Sequence, residues 1–316
     1  MIEPKNLSVR CAAEKKVNIL LSTYNGMQFL DQQIQSLLSQ SYPHIAITIR
    51  DDGSNDGTYD KLLEYAKRYP NFEVFRGERM GVVRSYFNLL QEADPHCDFY
   101  AFCDQDDVWL ADKVRDAVVA MESYDFDKAL LYCSRLEYVD TQLRHLGYSK
   151  IYRQLGFTNA LVENVVTGCT IMLNREARKL ICEYNPVCAT MHDAWCYLVV
   201  SAFGEVIFDK RPNIKYRQHR GNVVGAPTSP WQLCRKLLAR YLDPDKSGIR
   251  GSDQAKDFYR YYSKRLSSST LKILEDFVNA KSGIRSRIKY AKRMAVWKQS
   301  RVETAALRLR IIMGRF

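Results

Sequence analysis

The chain has 316 residues, 46% of them apolar and 12% aromatic, enough to fill a sizeable core and to exclude an intrinsically disordered protein. Nine cysteines, at 11, 97, 103, 133, 169, 182, 188, 196 and 234, form no Cys-x-x-Cys pair, which excludes a zinc module or a disulfide scaffold and predicts reduced thiols in a cytoplasmic chain. The net charge of +11 is local: residues 231–316 hold 21 basic and 7 acidic side chains, against 26 and 29 in residues 1–230, so the excess belongs to the C-terminal part.

The N-terminus has no charged-then-apolar signal segment, and no apolar run approaches the ~20 residues of a spanning helix. Val17–Thr23 reads as a buried strand, and Leu30, Ile34, Leu37 and Leu38 follow at helical spacing. Ile45, Ile47 and Ile49 alternate as a strand up to Asp51. Leu62, Leu63, Ala66 and Tyr69 predict a second helix, residues 72–75 a short strand, and Val83, Tyr86, Phe87 and Leu90 a third helix before the apolar run Phe99–Cys103. This alternation predicts α/β class, a mostly parallel sheet covered by helices on both faces. The turn-forming stretch Gly221–Pro230 marks a boundary between a domain of residues 1–225 and a basic helical extension, 226–316.

Three predicted strands end in polar clusters. Ser22-Thr23-Tyr24-Asn25-Gly26 follows the first, and Asp51-Asp52-Gly53-Ser54-Asn55-Asp56-Gly57-Thr58 the second. Gly53 and Gly57 allow tight turns that leave carboxylates and hydroxyls facing a crevice, as a nucleotide base and ribose require. Asp56 or Thr58 is also the expected cap of the next helix, with Asp52 as the ligand. The third cluster, Asp104-Gln105-Asp106-Asp107-Val108-Trp109, gathers three carboxylates where a buried strand ends. Like charges so close raise one another's pKa unless a cation neutralises them, and carboxylates with a phosphate-bearing substrate suit Mn2+ or Mg2+. The alternative is a solvated turn in which Asp107 or Asp112 starts the next helix. The absence of Gly-x-Gly-x-x-Gly and Gly-Lys-Ser/Thr argues against a dinucleotide dehydrogenase or a P-loop NTPase.

In this order the three clusters resemble the inverting family-two glycosyltransferases of the GT-A fold, and among them bacterial rhamnosyltransferases of surface polysaccharide synthesis. The resemblance extends over roughly residues 17–225, through Val166–Met172 as an acceptor-side strand, Met191-His192-Asp193-Ala194-Trp195 as the segment of the catalytic base, and Tyr216–Asn222 as a closing motif. It divides the first domain into a nucleotide-sugar half, 17–110, and an acceptor half, 111–225. It implies that Thr23 and Tyr24 flank the nucleotide base, that Asp52 accepts from its imide nitrogen, that Asp104 holds the sugar of the nucleotide, that Asn25 and Gln105 also bind the nucleotide sugar, that Asp106 ligates the metal, and that Asp193 is the catalytic base. The implied donor is dTDP-rhamnose, with UDP-galactose, UDP-glucose or a UDP-N-acetylhexosamine as alternatives, and the implied acceptor is a glycan on an undecaprenyl-diphosphate-type lipid. Independent chemistry agrees, since transfer from a nucleotide sugar needs a cation for the leaving diphosphate and a carboxylate for the acceptor proton.

Other residues carry two readings each. Arg79 and Arg84 flank Gly81 and either pair with phosphates or stay solvated. His219 either completes the metal or diphosphate site or is an uncommitted loop histidine. His192 reads as a positioning neighbour of Asp193, and Trp109 and Trp195 as packing. In the tail, eleven Lys and Arg from Lys281 onward face Glu303 alone, and Ile284, Ile288, Ala291 and Ala295 recur at helical spacing. That pattern fits a helix lying on the anionic inner face of the cell membrane, or one packed on the first domain with its charges outward. A nucleic-acid-binding module would also be basic, but the acidic first domain and the lack of base-stacking aromatics among the cations disfavour it.

Overall fold

The computed structural model describes residues 15–152, 154–219, 251–280 and 283–315. The predicted boundary at 225/226 and the stretch 221–230 lie outside the described residues. So do positions 220–222 of the closing motif, Lys281, Cys11 and Cys234.

Nine strands form one sheet: β1 (Val17–Thr23), β2 (Ile45–Asp51), β3 (Phe72–Arg76), β4 (Phe99–Cys103), β5 (Val108–Trp109), β6 (Leu130–Val139), β7 (His145–Tyr148), β8 (Met172–Asn174) and β9 (Glu205–Arg217), in the order β3-β2-β1-β4-β8-β6-β9-β5, with β7 on β6. The first four pair in parallel, as the alternation predicts. Beyond β4 the pairing is mixed. β8 runs antiparallel to β4 and β6, and β9 lies parallel to β6 and antiparallel to β5. Period-2 patterning reports which face a residue occupies, not strand direction, so the sequence carries no mark of this reversal.

Both faces are covered. Leu20, Tyr100, Phe102, Leu131 and Leu173 face one apolar cluster, and Ile19, Leu21, Phe99, Ala101 and Tyr132 face the other. The helices α1 (Met27–Leu38), α2 (Thr58–Arg68) and α4 (Lys113–Met121) cover the second face, while α3 (Val82–Glu92), the turn α5 (Phe157–Ala160), α6 (Arg175–Cys182) and α7 (His192–Phe203) cover the first. Double cover explains why β2 does not alternate: Thr48 and Arg50 are as buried as Ile47 and Ile49.

Two local expectations are corrected. Residues 166–172 are not a strand, because Gly168–Thr170 closes a 3-10 turn in which Ile171 N–H donates to Gly168, and pairing starts only at Met172. The cap position of α2 is Gly57, with φ 91°, rather than Asp56 or Thr58. Those two residues instead clamp the loop after β1, since Thr58 Oγ1 accepts from Gly26 N–H at 2.9 Å and Asp56 from Met27 N–H at 3.1 Å.

The basic extension contributes α8 (Gly251–Tyr262), α9 (Ser268–Asn279), α10 (Ile284–Arg293) and α11 (Arg301–Met313). Phe258, Tyr262, Phe277, Val296, Leu307 and Ile311 join the same apolar cluster as α3, α6 and α7. Trp297 Nε1 donates to Thr158 Oγ1 at 3.0 Å. The predicted stripe is only partly helical: α10 stops at Arg293, and beyond it Met294 and Val296 are buried in the core, leaving Ala295 exposed outside the helix. Ala291 is buried, whereas Ile284 and Ile288 are 52% and 38% exposed. Among the described residues no helix is long and apolar enough to cross a membrane.

One contact fixes where β9 begins. A Cβ on Gly204 would lie 1.9 Å from the Ala129 carbonyl oxygen, a backbone atom at the start of β6. Gly204→Ala is therefore expected to separate the β6–β9 pair at its first residues and to cost about 1–3 kcal/mol, the usual range for forced overpacking. A calorimetric melting temperature equal to that of the parent would refute this.

Candidate functional site

The carboxyl ends of β1, β2 and β4 open into one cleft of about 410 Å3, lined by Thr23, Tyr24, Asp52, Arg79, Asp104, Gln105, Asp106, His192 and Asp193 among others. An open sheet places its ligand crevice there. Of the residues singled out in the sequence, Arg84 does not reach this cleft. It sits exposed on α3, immediately before the buried Ser85 and Tyr86, whereas Arg79 lines the cleft and its guanidinium lies 4.2 Å from the Tyr24 ring centroid. Asn25, in left-handed conformation with φ 48°, faces an adjoining hollow of about 350 Å3 that shares Gln105 and Asp106 with the cleft and is also lined by His219.

The end of the cleft formed by the loops after β1 and β2 is held by short polar links. Gln105 pairs with the backbone of Tyr24 in both directions, accepting from its N–H at 2.8 Å and donating to its carbonyl at 3.0 Å. Thr23 Oγ1 donates to Asp51 at 3.0 Å, and Asn25 N–H donates to Ser54 Oγ at 2.8 Å. Asp52 accepts from Met80 N–H at 2.9 Å, from Gly81 N–H at 2.8 Å and from the buried Arg50 guanidinium. Burial alone would raise its pKa, but these donors outweigh burial and hold the carboxyl below its ordinary value.

The acidic cluster divides by orientation. Asp104 and Asp106 line the cleft and are half-buried. Asp107 is fully buried, accepts from Arg217 N–H at 3.0 Å, and keeps its other oxygen without a hydrogen-bond partner. Burial, then the charge of Asp106, push Asp104 up to about 7, while the Tyr86 hydroxyl, donating at 2.5 Å, opposes the shift. Asp106 Oδ2 lies 2.7 Å from His219 Nε2, because β5 pairs with β9 and brings the end of β9 beside the acids.

Asp104, Asp107 and Cys169 offer ligand atoms all within 4.8 Å of one another. Burial drives the Cys169 thiol well above its ordinary pKa, so it stays protonated and is a poor ligand. The cleft-facing set is thus hard oxygen from Asp104 and Asp106, with His219 beside them, and this donor set fits Mg2+ or Mn2+.

Across the cleft, Asp193 stands in the first turn of α7, as its place before an apolar run predicts. It is 7% exposed and accepts from Ala194 N–H at 2.6 Å, Asn164 Nδ2 at 2.9 Å and Gly168 N–H at 3.0 Å. Burial nevertheless pushes it up to about 6. Neither Asn164 nor Gly168 was marked as an Asp193 partner by the sequence, because both act from a loop some 25 positions away. His192 stacks on Tyr86 with ring centroids 4.1 Å apart, and burial lowers its pKa to about 3, leaving a neutral ring whose nitrogens have no partner. A Cβ on Gly168 would come within 2.5 Å of His192 Nε2, so only glycine admits both this ring and the N–H bond to Asp193. Trp109 and Trp195 are buried, in keeping with packing.

The family model for glycosyl transferase family 2 matches residues 18–181, more than half of the chain, and spans all three strand-end clusters. The chain belongs to glycosyl transferase family 2. This glycosyltransferase is 28% identical over 223 residues to dTDP-rhamnosyl transferase RfbG of Shigella flexneri, covering 66% of this chain and 75% of that protein. It is 29% identical over 106 residues, 33% of this chain and 40% of the other, to the Escherichia coli UDP-Glc:alpha-D-GlcNAc-diphosphoundecaprenol beta-1,3-glucosyltransferase WfgD. S. aureus TarS, residues 1–349, superposes with a TM-score of 0.56 at 12% identity, covering 95% of this chain and 88% of that one, and has also been solved with UDP-GlcNAc. The glycosyltransferase therefore has the GT-A-like fold of a curled sheet flanked by helices.

The raised Asp104 pKa gives a test that needs no substrate. A carboxyl with a folded pKa above its unfolded value stabilises the fold at low pH, and that contribution is lost as pH rises through the folded value, here about 7. A divalent cation relieves the repulsion, so the Mn2+-induced rise in melting temperature should be larger at pH 8 than at pH 5.5, and Asp106→Asn should reduce it. Melting curves unaffected by Mn2+ at both pH values would exclude this site as the binding locus.

Proposed function

We propose that the protein transfers L-rhamnose from dTDP-rhamnose, with inversion, onto a lipid-linked glycan at the cytoplasmic face of a membrane, in bacterial cell-surface polysaccharide synthesis. The observation that carries the reaction class is the opposition, across one cleft, of Asp193 and the acidic cluster at the end of β4. The rhamnosyl choice is supported by the Shigella relative. A UDP-sugar donor is the second reading, favoured by the printed donor of WfgD and by the UDP-GlcNAc complex of TarS, and WfgD's diphosphoundecaprenol acceptor supports the lipid-linked one.

In this reading Tyr24 and Thr23 flank the base, Asp52 accepts from its imide nitrogen, and Arg79 rather than Arg84 faces the phosphates. Asp104, braced by Tyr86, holds the sugar of the nucleotide. Asp106 and His219 would hold Mn2+ or Mg2+, which supplies charge neutralisation to the leaving diphosphate. Asp193 takes the proton of the acceptor hydroxyl as its oxygen bonds to the anomeric carbon, and the departing bond's electron pair leaves with the nucleoside diphosphate. One carboxylate acting as a base on an in-line attack gives inversion in a single displacement.

A base must be ionised, so turnover should fall as pH drops below about 6, the value to which burial raises Asp193. Asp193→Asn keeps an oxygen for Gly168 or Asn164 but cannot take a proton. It should melt and bind nucleotide near the parental values while transfer drops at least about 100-fold. Transfer at the parental rate would reduce Asp193 to a helix cap.

The exposed Ile284 and Ile288 on α10 lie among Arg285, Arg287, Lys289, Lys292 and Arg293, which supports docking on an anionic bilayer. Each cation near such a surface contributes on the order of 1 kcal/mol. The double substitution Ile284→Asp with Ile288→Asp, on an exposed face, should abolish co-sedimentation with phosphatidylglycerol vesicles without changing the melting temperature. Undiminished co-sedimentation would remove the membrane from the proposal.

A further inference from the structure

The segment between α6 and α7 leads directly to the cleft, since Met191, His192 and Asp193 all line it. Its conformation is set from outside the family-matched region. Asp257 on α8, 1% exposed, accepts from Tyr184 Oη at 2.7 Å, Val187 N–H at 2.8 Å and Cys188 N–H at 2.9 Å. One turn earlier, Gln254, 5% exposed, accepts through Oε1 from both Thr190 N–H and Thr190 Oγ1 at 2.8 Å. Residues three apart share a helix face, so one face of α8 receives five hydrogen bonds from residues 184–190. Phe258, on the same helix, packs against Trp195 of α7 with ring centroids 6.1 Å apart.

These bonds have a use beyond holding a loop. Three of the five donors are backbone N–H groups, which would otherwise be buried without partners or would turn toward water and carry the chain with them. Thr190 lies three residues before Asp193, and the Trp195 N–H bond to the Met191 carbonyl passes any displacement into the first turn of α7. A shift of about 1 Å at a reacting group costs on the order of 100-fold in rate.

We infer that Gln254 and Asp257 are positioning residues for glycosyl transfer: the C-terminal extension, through α8, sets the place of the Asp193 carboxylate in the cleft. The inference rests on Asp193 being the base, and it makes the extension part of the catalytic apparatus instead of an appendage to it. The nucleotide end, built from β1, β2 and β4, receives none of these five bonds. Loss of the brace should therefore act on turnover and not on donor binding.

The experiment uses the full chain with Gln254→Ala, which removes the acceptor for Thr190, and Gln254→Glu, which retains it. Steady-state transfer, calorimetric affinity for the nucleotide sugar and melting temperature are measured for both, with Asp193→Asn alongside. Gln254→Ala should lower kcat by about 10- to 100-fold with donor affinity within twofold of the parent, and Gln254→Glu should recover most of the rate. The inference is overturned if Gln254→Ala turns over at the parental rate, if kcat and donor affinity fall together with the folded fraction, or if Gln254→Glu is as impaired as the alanine variant. Parental transfer by Asp193→Asn would instead overturn the base assignment, whatever the Gln254 variants do.

Discussion

The burial of carboxylates in one cleft is the constraint to which the rest of the site answers. Asp52, Asp104, Asp106 and Asp193 all line it, yet their surroundings separate them. Two N–H groups and a guanidinium overcome burial at Asp52, which is held below its ordinary pKa and remains a fixed acceptor. Three donors without a cation fail to overcome burial at Asp193, which is left at about 6, where a carboxylate can both hold and release a proton near neutrality. Burial and the neighbouring Asp106 push Asp104 up to about 7, above Asp193. Acids sorted in this way by their environments assume different tasks within a single site.

The same cleft depends on close backbone approach. Gln105 ties the end of β4 to the loop after β1, and Thr58 and Asp56 tie that loop to the one after β2, so the three strand ends are linked directly by hydrogen bonds. Both ring nitrogens of His192 are buried without a hydrogen-bond partner. Two buried nitrogens without partners cost about 1–3 kcal/mol each in comparable settings, offset by stacking on Tyr86, whose hydroxyl in turn holds Asp104. One aromatic stack thereby joins the wall that carries Asp193 to the wall that carries the acidic cluster.

The basic extension belongs to the fold as much as the sheet does. Phe258, Tyr262 and Phe277 enter the apolar cluster beneath α3, α6 and α7, while Arg285, Lys289, Lys292 and Arg293 stay exposed beside Ile284 and Ile288. Burial of one face and exposure of the other lets the tail both pack on the sheet domain and present a charged, apolar surface.

The sequence by itself determined the βαβ half, because strand runs, helical spacing and turn glycines are local signals. It also gave the three polar clusters at strand ends and Asp193 before an apolar run, since each is contiguous in the chain. Tertiary structure alone decided the rest. The direction of β8 and β9 depends on partners 40 to 110 positions away, and with it the contact of His219 with Asp106. Arg79 and Arg84 are indistinguishable as letters; the exposed face of α3 removes Arg84 from the cleft and leaves Arg79 beside Tyr24. Asp107 looks equivalent to Asp104 and Asp106 in a run of acids, but the turn of the chain after β4 directs it into the core toward Arg217. The donors that tune Asp193, and the α8 face that receives residues 184–190, are backbone amides and loop side chains. Their partners are chosen by packing across the fold, and no local pattern of residue types records that choice.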